Sequence, residues 1–508
     1  MWHSRPRLCL KGECTAGGGC ATFLIGLSVK YFALLVVTTR MIPPKSRVHF
    51  IGVCGTAMAG MAAALKELGY EVSGSDSNVY PPMSTFLEER GISLKPGYRP
   101  ENVLPPPDLV IVGNAISRGN SEIEELLDRK MRYVSLPEAI KEFFLHGKRN
   151  LVVTGTHGKT TTASLLAWIL ECAERQPSYL IGGIPKNLGQ GACFRDSEFV
   201  VLEGDEYDTA FFDKRPKFLH YLPEIVIINN IEFDHADIYE NLDAIKLSFQ
   251  RLARTVPRNG LLVVNADDSN ALDVARDSLA PVLRVGVSEK SDIQIVDFSP
   301  ASDQSRFLLI ISGRAFSLES SLAGEFNARN IAMAVVVAQK LGIEIQVIQK
   351  AVASFQGVKR RQEVRAVVNG ITLIDDFGHH PTAIRETLLA LRHKYAGSRL
   401  WAFFEPRSNT TRRAVFQKEL PEALALADGV FVSQVARLDQ LPPDNRLDPE
   451  KVMADIRAKG REAHYLPSVN EIVAVAAEKL RSGDVAIIFS NGGFDGIHEK
   501  LEAALGRL

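Results

Sequence analysis

The chain has 508 residues, with 59 lysines and arginines against 60 aspartates and glutamates. That length exceeds one ordinary domain and points to about three, and balanced charge without a basic run argues against a nucleic-acid or membrane-surface partner. Six cysteines (Cys9, Cys14, Cys20, Cys54, Cys172, Cys193) lack paired C-x-x-C spacing, which argues against a zinc site or a disulfide framework and fits a reducing, cytoplasmic setting.

Residues 1–45 read as an extension. Ala21 to Val37 is mostly apolar, interrupted by Lys30 and preceded by basic residues; it is a signal-like or marginal membrane segment, or lies upstream of a true start at Met41. From residue 46 strands and helices alternate. Val48 to Val53 reads as a strand, Thr56 to Leu68 as a helix, and Glu71 to Asp76 as a strand ending on a carboxylate. This opens a Rossmann-like unit over 46–147. Gly52, Gly55 and Gly60 let backbone approach a diphosphate at the helix start, or simply pack that helix closely on the sheet, and Asp76 stands where a ribose contact is expected. The strand from Asp108 to Gly113 delivers Asn114 to the carboxyl end of the sheet, where such folds bind ligands. Phe143 to Asn150 reads as a linker.

The second unit, 148–355, opens on Leu151-Val-Val-Thr-Gly155-Thr156-His157-Gly158-Lys159-Thr160-Thr161-Thr162, followed by an apolar helix from Ala163 to Leu170. Strand, glycine turn, lysine and hydroxyl, then helix is the order of a phosphate loop for ATP: backbone N–H groups cradle phosphate, Lys159 reaches the terminal phosphates and Thr160 offers a hydroxyl to Mg²⁺. The spacing departs from G-x-x-x-x-G-K-[ST], because Val153 stands where the first glycine belongs. Phe199 to Leu202 is a short strand running into Glu203-Gly-Asp205-Glu206-Tyr-Asp208, either a solvated acidic turn or a Mg²⁺ site, with Glu203, nearest the strand, as the first candidate ligand. The strand from Glu224 runs into Glu232-Phe-Asp234-His235, where His235 is a second metal ligand, a phosphate contact or a structural histidine. Pro281 to Ser321 reads as short antiparallel strands with a hairpin turn at Ser312 to Arg314. Asn327 and Asn330 share a face before the helix Ile331 to Leu341 and meet adenine or phosphate, unless Asn327 is a cap.

A third α/β unit, 356–508, follows. Its strands end in Asp375-Asp-Phe-Gly-His379-His380, in Glu405-Pro-Arg407-Ser408-Asn409 and in Ser490-Asn-Gly-Gly493, so polar clusters collect at strand ends. No nucleophile with a neighbouring base stands out; cationic and metal clamping suits phosphoryl transfer.

Taken together, Gly155 to Thr160, the Glu203 cluster, Asn230-Ile-Glu-Phe-Asp-His235, Asn327 to Asn330, Gly357 to Arg361 and Asp375 to Pro381 resemble the Mur ligases, ATP-dependent amide-forming enzymes of peptidoglycan synthesis, over residues 46 to 505. The resemblance implies three α/β domains: a Rossmann-like UDP-binding domain, a central phosphate-loop ATPase and a Rossmann-like C-terminal domain. It implies that Lys159, Glu203, His235 and Arg361 serve catalysis, that Thr160, Glu203 and His235 hold Mg²⁺, and that Asn187, Asn327, Asn330, Arg361 and Asp375 surround ATP. Gly52, Gly55, Thr56, Ala57, Met58, Asp76 and Asn114 would hold a UDP-sugar, and His379, Arg407, Ser408 and Asn409 an acidic peptide. Segments His49 to Met58, Gly113 to Asn120 and Phe404 to Asn409 are most similar to the members that join UDP-N-acetylmuramate to the murein tripeptide L-alanyl-γ-D-glutamyl-meso-diaminopimelate. The alternatives are the members that add L-alanine alone, or a non-catalytic, membrane-tethered nucleotide-binding protein. Some members carry a carbamylated lysine after the histidine; Lys246 is too close in sequence to take that role. A cytoplasmic monomer or weak homodimer is expected.

Overall fold

The computed structural model describes residues 42–80, 83–301 and 303–507. The apolar run from Ala21 to Val37 lies outside the described residues, and among those described no helix is long and apolar enough to cross a membrane.

Three large sheets organise the described residues. In the first, all strands are parallel and run side by side as Ser93–Pro96, Glu71–Asp76, Arg47–Ile51, Leu109–Val112 and Tyr133–Ser135. Leu109–Val112 is fully buried apolar sequence, as a parallel strand covered on both faces requires. The order of connection reverses beside Arg47–Ile51. Its carboxyl end therefore opens a crevice, and the helix Thr56–Glu67 starts there with Gly55 as N-cap.

The second sheet is built around Arg149–Thr154, flanked in parallel by Phe199–Gly204 and Ile225–Ile228. The helix Lys159–Cys172 packs beside it on Glu325–Lys340, and their small and β-branched faces share one core with the sheet. Two expectations change here. Val282–Gly286 is not antiparallel: it follows the helix Ser269–Ala275 and lies parallel to Leu261–Asn265, because a helical crossover returns the chain in the same direction. Between Pro281 and Ser321 antiparallel pairing is confined to Ile293–Ser299, Ser305–Ile311 and Arg314–Ser320, with Ser312 and Gly313 in the turn. The helix expected from Ile331 starts a turn and a half earlier, at Glu325, because Gly324 adopts φ 96° as its N-cap. Asn327 is thus not a cap; it lies in the first turn and donates to the Ala323 carbonyl at 2.8 Å. Likewise the expected linker after Phe143 is partly regular, with Lys141–Leu145 helical and Arg149 already in a strand.

In the third sheet the order is Glu363–Val368, Ile371–Asp376, Val485–Phe489, Leu400–Phe404, Gly429–Ser433 and Glu462–Leu466. The first pair is a hairpin through Asn369 and Gly370, and the rest are parallel. The carboxyl ends of Ile371–Asp376 and Leu400–Phe404 point their loops at the second sheet.

Candidate active site

The phosphate loop is shaped by two glycines that have no substitute. Gly158 adopts φ 81° and a Cβ there would collide with the side chains of Asn330 and Asn229; Gly155 adopts φ 130° and a Cβ would sit 2.9 Å from the Asn230 carbonyl. Any larger residue would strain the backbone and push the loop off the strand that supports it. The helix Lys159–Cys172 then begins with no side-chain cap on its first N–H groups, which leaves them free for an anion.

Lys159 folds back, donating to the Gly155 carbonyl at 2.7 Å and to Glu206 at 2.8 Å. Burial disfavours its charge, but Glu206 and then Asp205 outweigh this and hold its pKa above the ordinary lysine value. Burial likewise works against the Glu206 carboxylate; Lys159 and His235 overcome it and bring the pKa down to about 2. His235, 3.2 Å from Glu206, is disfavoured as a cation by burial yet raised to about 9, chiefly by that carboxylate. Glu206 therefore joins the lysine and the histidine in one charged array. Glu203 behaves differently. The Thr160 hydroxyl donates to it at 2.8 Å and the Gly182 N–H at 2.6 Å, but burial, with Asp205 adding to it, leaves its pKa raised. It is a buried carboxylate short of positive charge.

Lys159, Thr160, Glu203, Asp205 and His235 line a cavity of about 470 Å³, with Glu206 behind the lysine and the histidine. It brings together Thr156, His157, Gly158, Lys159, Thr160, Thr161, Glu203, His235, Asn327, Asn330, Arg361 and His379. Gly155 is outside the lining and meets it only through Lys159, which donates to its carbonyl, and Arg361 donates to the Thr160 hydroxyl at 3.3 Å. Asn187 is not at the lining: its amide spans the Ser354 carbonyl and the Gln356 N–H and pins one loop to another. Asp375 is also elsewhere, paired with Arg360 and His498. Alternation along the strand Ile371–Asp376 sends the neighbouring Asp376 to the cavity instead, where it accepts from the Gln362 and Gly378 N–H groups.

A seam of polar contacts joins the second sheet to the third. Glu232 accepts from His157 at 2.7 Å and from the Thr382 hydroxyl at 3.0 Å, and His380 donates to the Phe233 carbonyl. Asp234 accepts from the Thr410 hydroxyl at 2.6 Å, and Asn409 donates to Asp237 at 2.7 Å. Asn409 is thereby a strut of the seam, and Ser408 caps its own turn on Thr411; Arg407 remains exposed, 3.6 Å from Glu405. Lys246 pairs with Asp273 at 2.5 Å, away from the array. The first sheet supplies a separate cluster. Gly52, Gly55, Thr56, Ala57 and Met58 form the strand-to-helix turn, with Asp76 accepting from the Cys54 N–H at 2.9 Å. Asn114 reaches across to the Asp208 carbonyl at 3.2 Å.

Comparison with known proteins finds three consecutive domains along this chain: the Mur ligase family catalytic domain over residues 47–148, the Mur ligase middle domain over 153–338 and the Mur ligase glutamate ligase domain over 360–492. The chain belongs to the Mur ligase family. Among its relatives, a UDP-N-acetylmuramate–L-alanyl-γ-D-glutamyl-meso-2,6-diaminoheptandioate ligase of Escherichia coli (strain K12) is 41% identical over 91% of this chain and 98% of its own length. A UDP-N-acetylmuramate–L-alanine ligase of a Bradyrhizobium strain is 32% identical over 88% and 94%. The crystal structure of a murein peptide ligase from Psychrobacter arcticus superposes with a TM-score of 0.69 at 36% identity, covering 91% of this chain and 99% of the other. In this Mur ligase, Glu206, Glu232, Asp376 and His380 are the site residues that reading the sequence passed over. The acidic run and the Asn-Ile-Glu-Phe-Asp-His stretch contained the signal, but which carboxylates turn inward depends on strand length and on partners brought in from other strands and loops.

Proposed function

We propose that this Mur ligase uses ATP and Mg²⁺ to join the lactyl carboxylate of UDP-N-acetylmuramate to the amino group of L-alanyl-γ-D-glutamyl-meso-diaminopimelate. The observation that carries the substrate choice is the end-to-end identity of 41% with the relative named for that reaction, against 32% with the one named for L-alanine.

The donor set fits the reagents. The uncapped helix start and Lys159 suit the β- and γ-phosphates of ATP, with Asn327, Asn330 and Arg361 around the rest of the nucleotide. Thr160 and Glu203 present a hydroxyl and a carboxylate oxygen 2.8 Å apart, hard donors suited to Mg²⁺, and the raised pKa of Glu203 marks a place where a cation is favourable. When bound, Mg²⁺ supplies neutralisation of phosphate charge. His235 is a second candidate ligand, on release of the proton it shares with Glu206. The UDP-sugar is assigned to the turn from Gly52 to Met58 with Asp76 and Asn114, and the peptide to the face carrying His379 and Arg407.

Chemistry then follows from position. A carboxylate oxygen of the sugar attacks the γ-phosphorus, ADP leaves, and an acyl phosphate forms while Lys159 and Arg361 balance the charge on the transferred group. The peptide amine attacks the acyl carbon, loses a proton, and inorganic phosphate departs. The seam through Glu232 and Asp234 holds the two halves of the cavity together. Since the cavity is built from one chain, a cytoplasmic monomer or weak homodimer suffices. The test is product mass: ATP·Mg²⁺ and UDP-N-acetylmuramate are supplied with either tripeptide or L-alanine. UDP-muramyl-tripeptide is expected; UDP-muramyl-alanine alone would move the chain to the biosynthetic reaction, and neither product would remove the ligase reading.

A further inference from the structure

Beside the seam, four arginines gather on two adjoining loops of the third sheet. Arg407, Arg412 and Arg413 follow the strand Leu400–Phe404, and Arg437 follows Gly429–Ser433. They are linked through backbone: Arg412 donates to the Arg437 carbonyl at 3.1 Å, and Arg437 to the Arg407 carbonyl at 3.5 Å. The remaining acceptors of the middle pair are neutral. Arg412 donates to the Asn409 amide oxygen and to Gln440, and Arg413 to the Asn409 carbonyl. Arg412 is 5% exposed, and its Nε has no partner. Burial, and after it the charges of Arg437 and Arg413, lower the Arg412 pKa below the ordinary arginine value. Arg407 has Glu405 at 3.6 Å, and Asp237 and Asp439 lie near Arg412; among the described residues Arg413 and Arg437 have no ion-pair partner, so part of the cluster's positive charge is open to an anion.

Next to it lies a cavity of about 380 Å³ lined by Gln434 through Asp439. Arg437, at its edge, holds a left-handed backbone conformation with φ 51° and ψ 41°. For a residue with a Cβ that conformation is strained, and such strain collects at ligand clamps. Asp439, two residues on, brings a carboxylate to the same cavity. A guanidinium and a carboxylate on one short segment match a zwitterion, a free amino-acid end with one ammonium and one carboxylate group. The proposed tripeptide has one such end, on the side chain of its diaminopimelate residue and, because the glutamate is γ-linked, roughly 15 Å from the reacting amine when extended. The route is laid out in contacts: Asp234 at the reaction cavity holds Thr410, and the neighbouring Asn409 holds Arg412, which holds Arg437.

We propose that the cavity from Gln434 to Asp439 is the subsite for the distal amino-acid end of the acceptor peptide, with Arg437 taking its carboxylate and Asp439 its ammonium group. The proposal rests on the tripeptide reading above. It makes Arg437 and Asp439 specificity residues, since L-alanine is too short to reach them.

The experiment is steady-state kinetics of the full chain with L-alanyl-γ-D-glutamyl-meso-diaminopimelate as acceptor, for the wild type, Arg437→Ala, Arg437→Lys and Asp439→Asn. Loss of a charge-assisted contact should raise the KM for tripeptide about tenfold to a hundredfold in Arg437→Ala and about tenfold in Asp439→Asn, with Arg437→Lys intermediate. The KM values for ATP and UDP-N-acetylmuramate, and kcat, should stay within about twofold. An unchanged tripeptide KM in active variants overturns the subsite, as does a parallel rise in all three KM values. No tripeptide turnover by the wild type overturns the reading of function and the subsite with it.

Discussion

His380 offers a quantitative test of the seam. It caps the helix Pro381–Lys394, its Nδ1 accepting from the Thr382 N–H and its Nε2–H donating to the Phe233 carbonyl, both at 3.2 Å. Only the neutral tautomer serves both contacts. Burial first, then the neighbouring His157, lowers its pKa from 6.5 to about 4, even though Glu232 and Asp234 pull the other way. Below pH 6.5 the unfolded chain gains a proton that the folded imidazole refuses until about pH 4, so stability present above 6.5 is lost as pH falls through that window. The interval corresponds to about 3 kcal/mol, most of it gone by about pH 4.5. His380→Asn retains a side-chain oxygen for the cap and cannot titrate; losing the contact with Phe233 costs it about 1 kcal/mol at neutral pH. Urea unfolding of both proteins at pH 7.5 and 4.5 should show the wild type ahead at the higher pH. Over the interval the wild type should lose about 3 kcal/mol more than the variant and end no more stable than it. Equal losses, or a steeper loss in the variant, would refute the neutral, buried histidine.

Three further outcomes follow from named contacts. Glu203→Gln should leave folding intact but lower kcat by about a hundredfold or more, with a weakened response to Mg²⁺, because it removes the charge beside Thr160; an unchanged Mg²⁺ titration would exclude Glu203 as a ligand. Thr410→Val deletes the hydroxyl that Asp234 accepts and should lower kcat while leaving the Kd for ATP, measured by calorimetry, within about twofold. Glu122 is fully buried and accepts from Ser75, Asn102 and the Arg99 N–H, with His49 at 3.6 Å. Glu122→Ala strands these donors and should destabilise the chain by about 3–5 kcal/mol, so a thermal midpoint equal to the wild type would contradict that network.

Much of the fold was legible because parallel strands are short apolar runs ending in glycine or polar clusters, as in Leu109–Val112 and Ile225–Ile228. Asp375 and Asp376 are adjacent and chemically identical, and only the length of their strand decides which faces the cavity. A capping role stayed open beside the ligand role of Asn327 because the helix start depends on Gly324 taking a positive φ, which the residue type permits but does not demand. Glu206 lay within a noted acidic run, yet its pairing with Lys159 and His235 depends on the loop after Phe199–Gly204. The seam between Glu232 and His380 joins residues 148 apart, and no local pattern announces it.

The central claim is that the sugar carboxylate is activated by ATP in this cavity and passed to the tripeptide. It is tested most directly by supplying UDP-N-acetylmuramate with ¹⁸O in its lactyl carboxylate, together with ATP·Mg²⁺ and tripeptide, and weighing the released phosphate. The account predicts one ¹⁸O atom in each inorganic phosphate formed alongside UDP-muramyl-tripeptide. Unlabelled phosphate accompanying that product would contradict it.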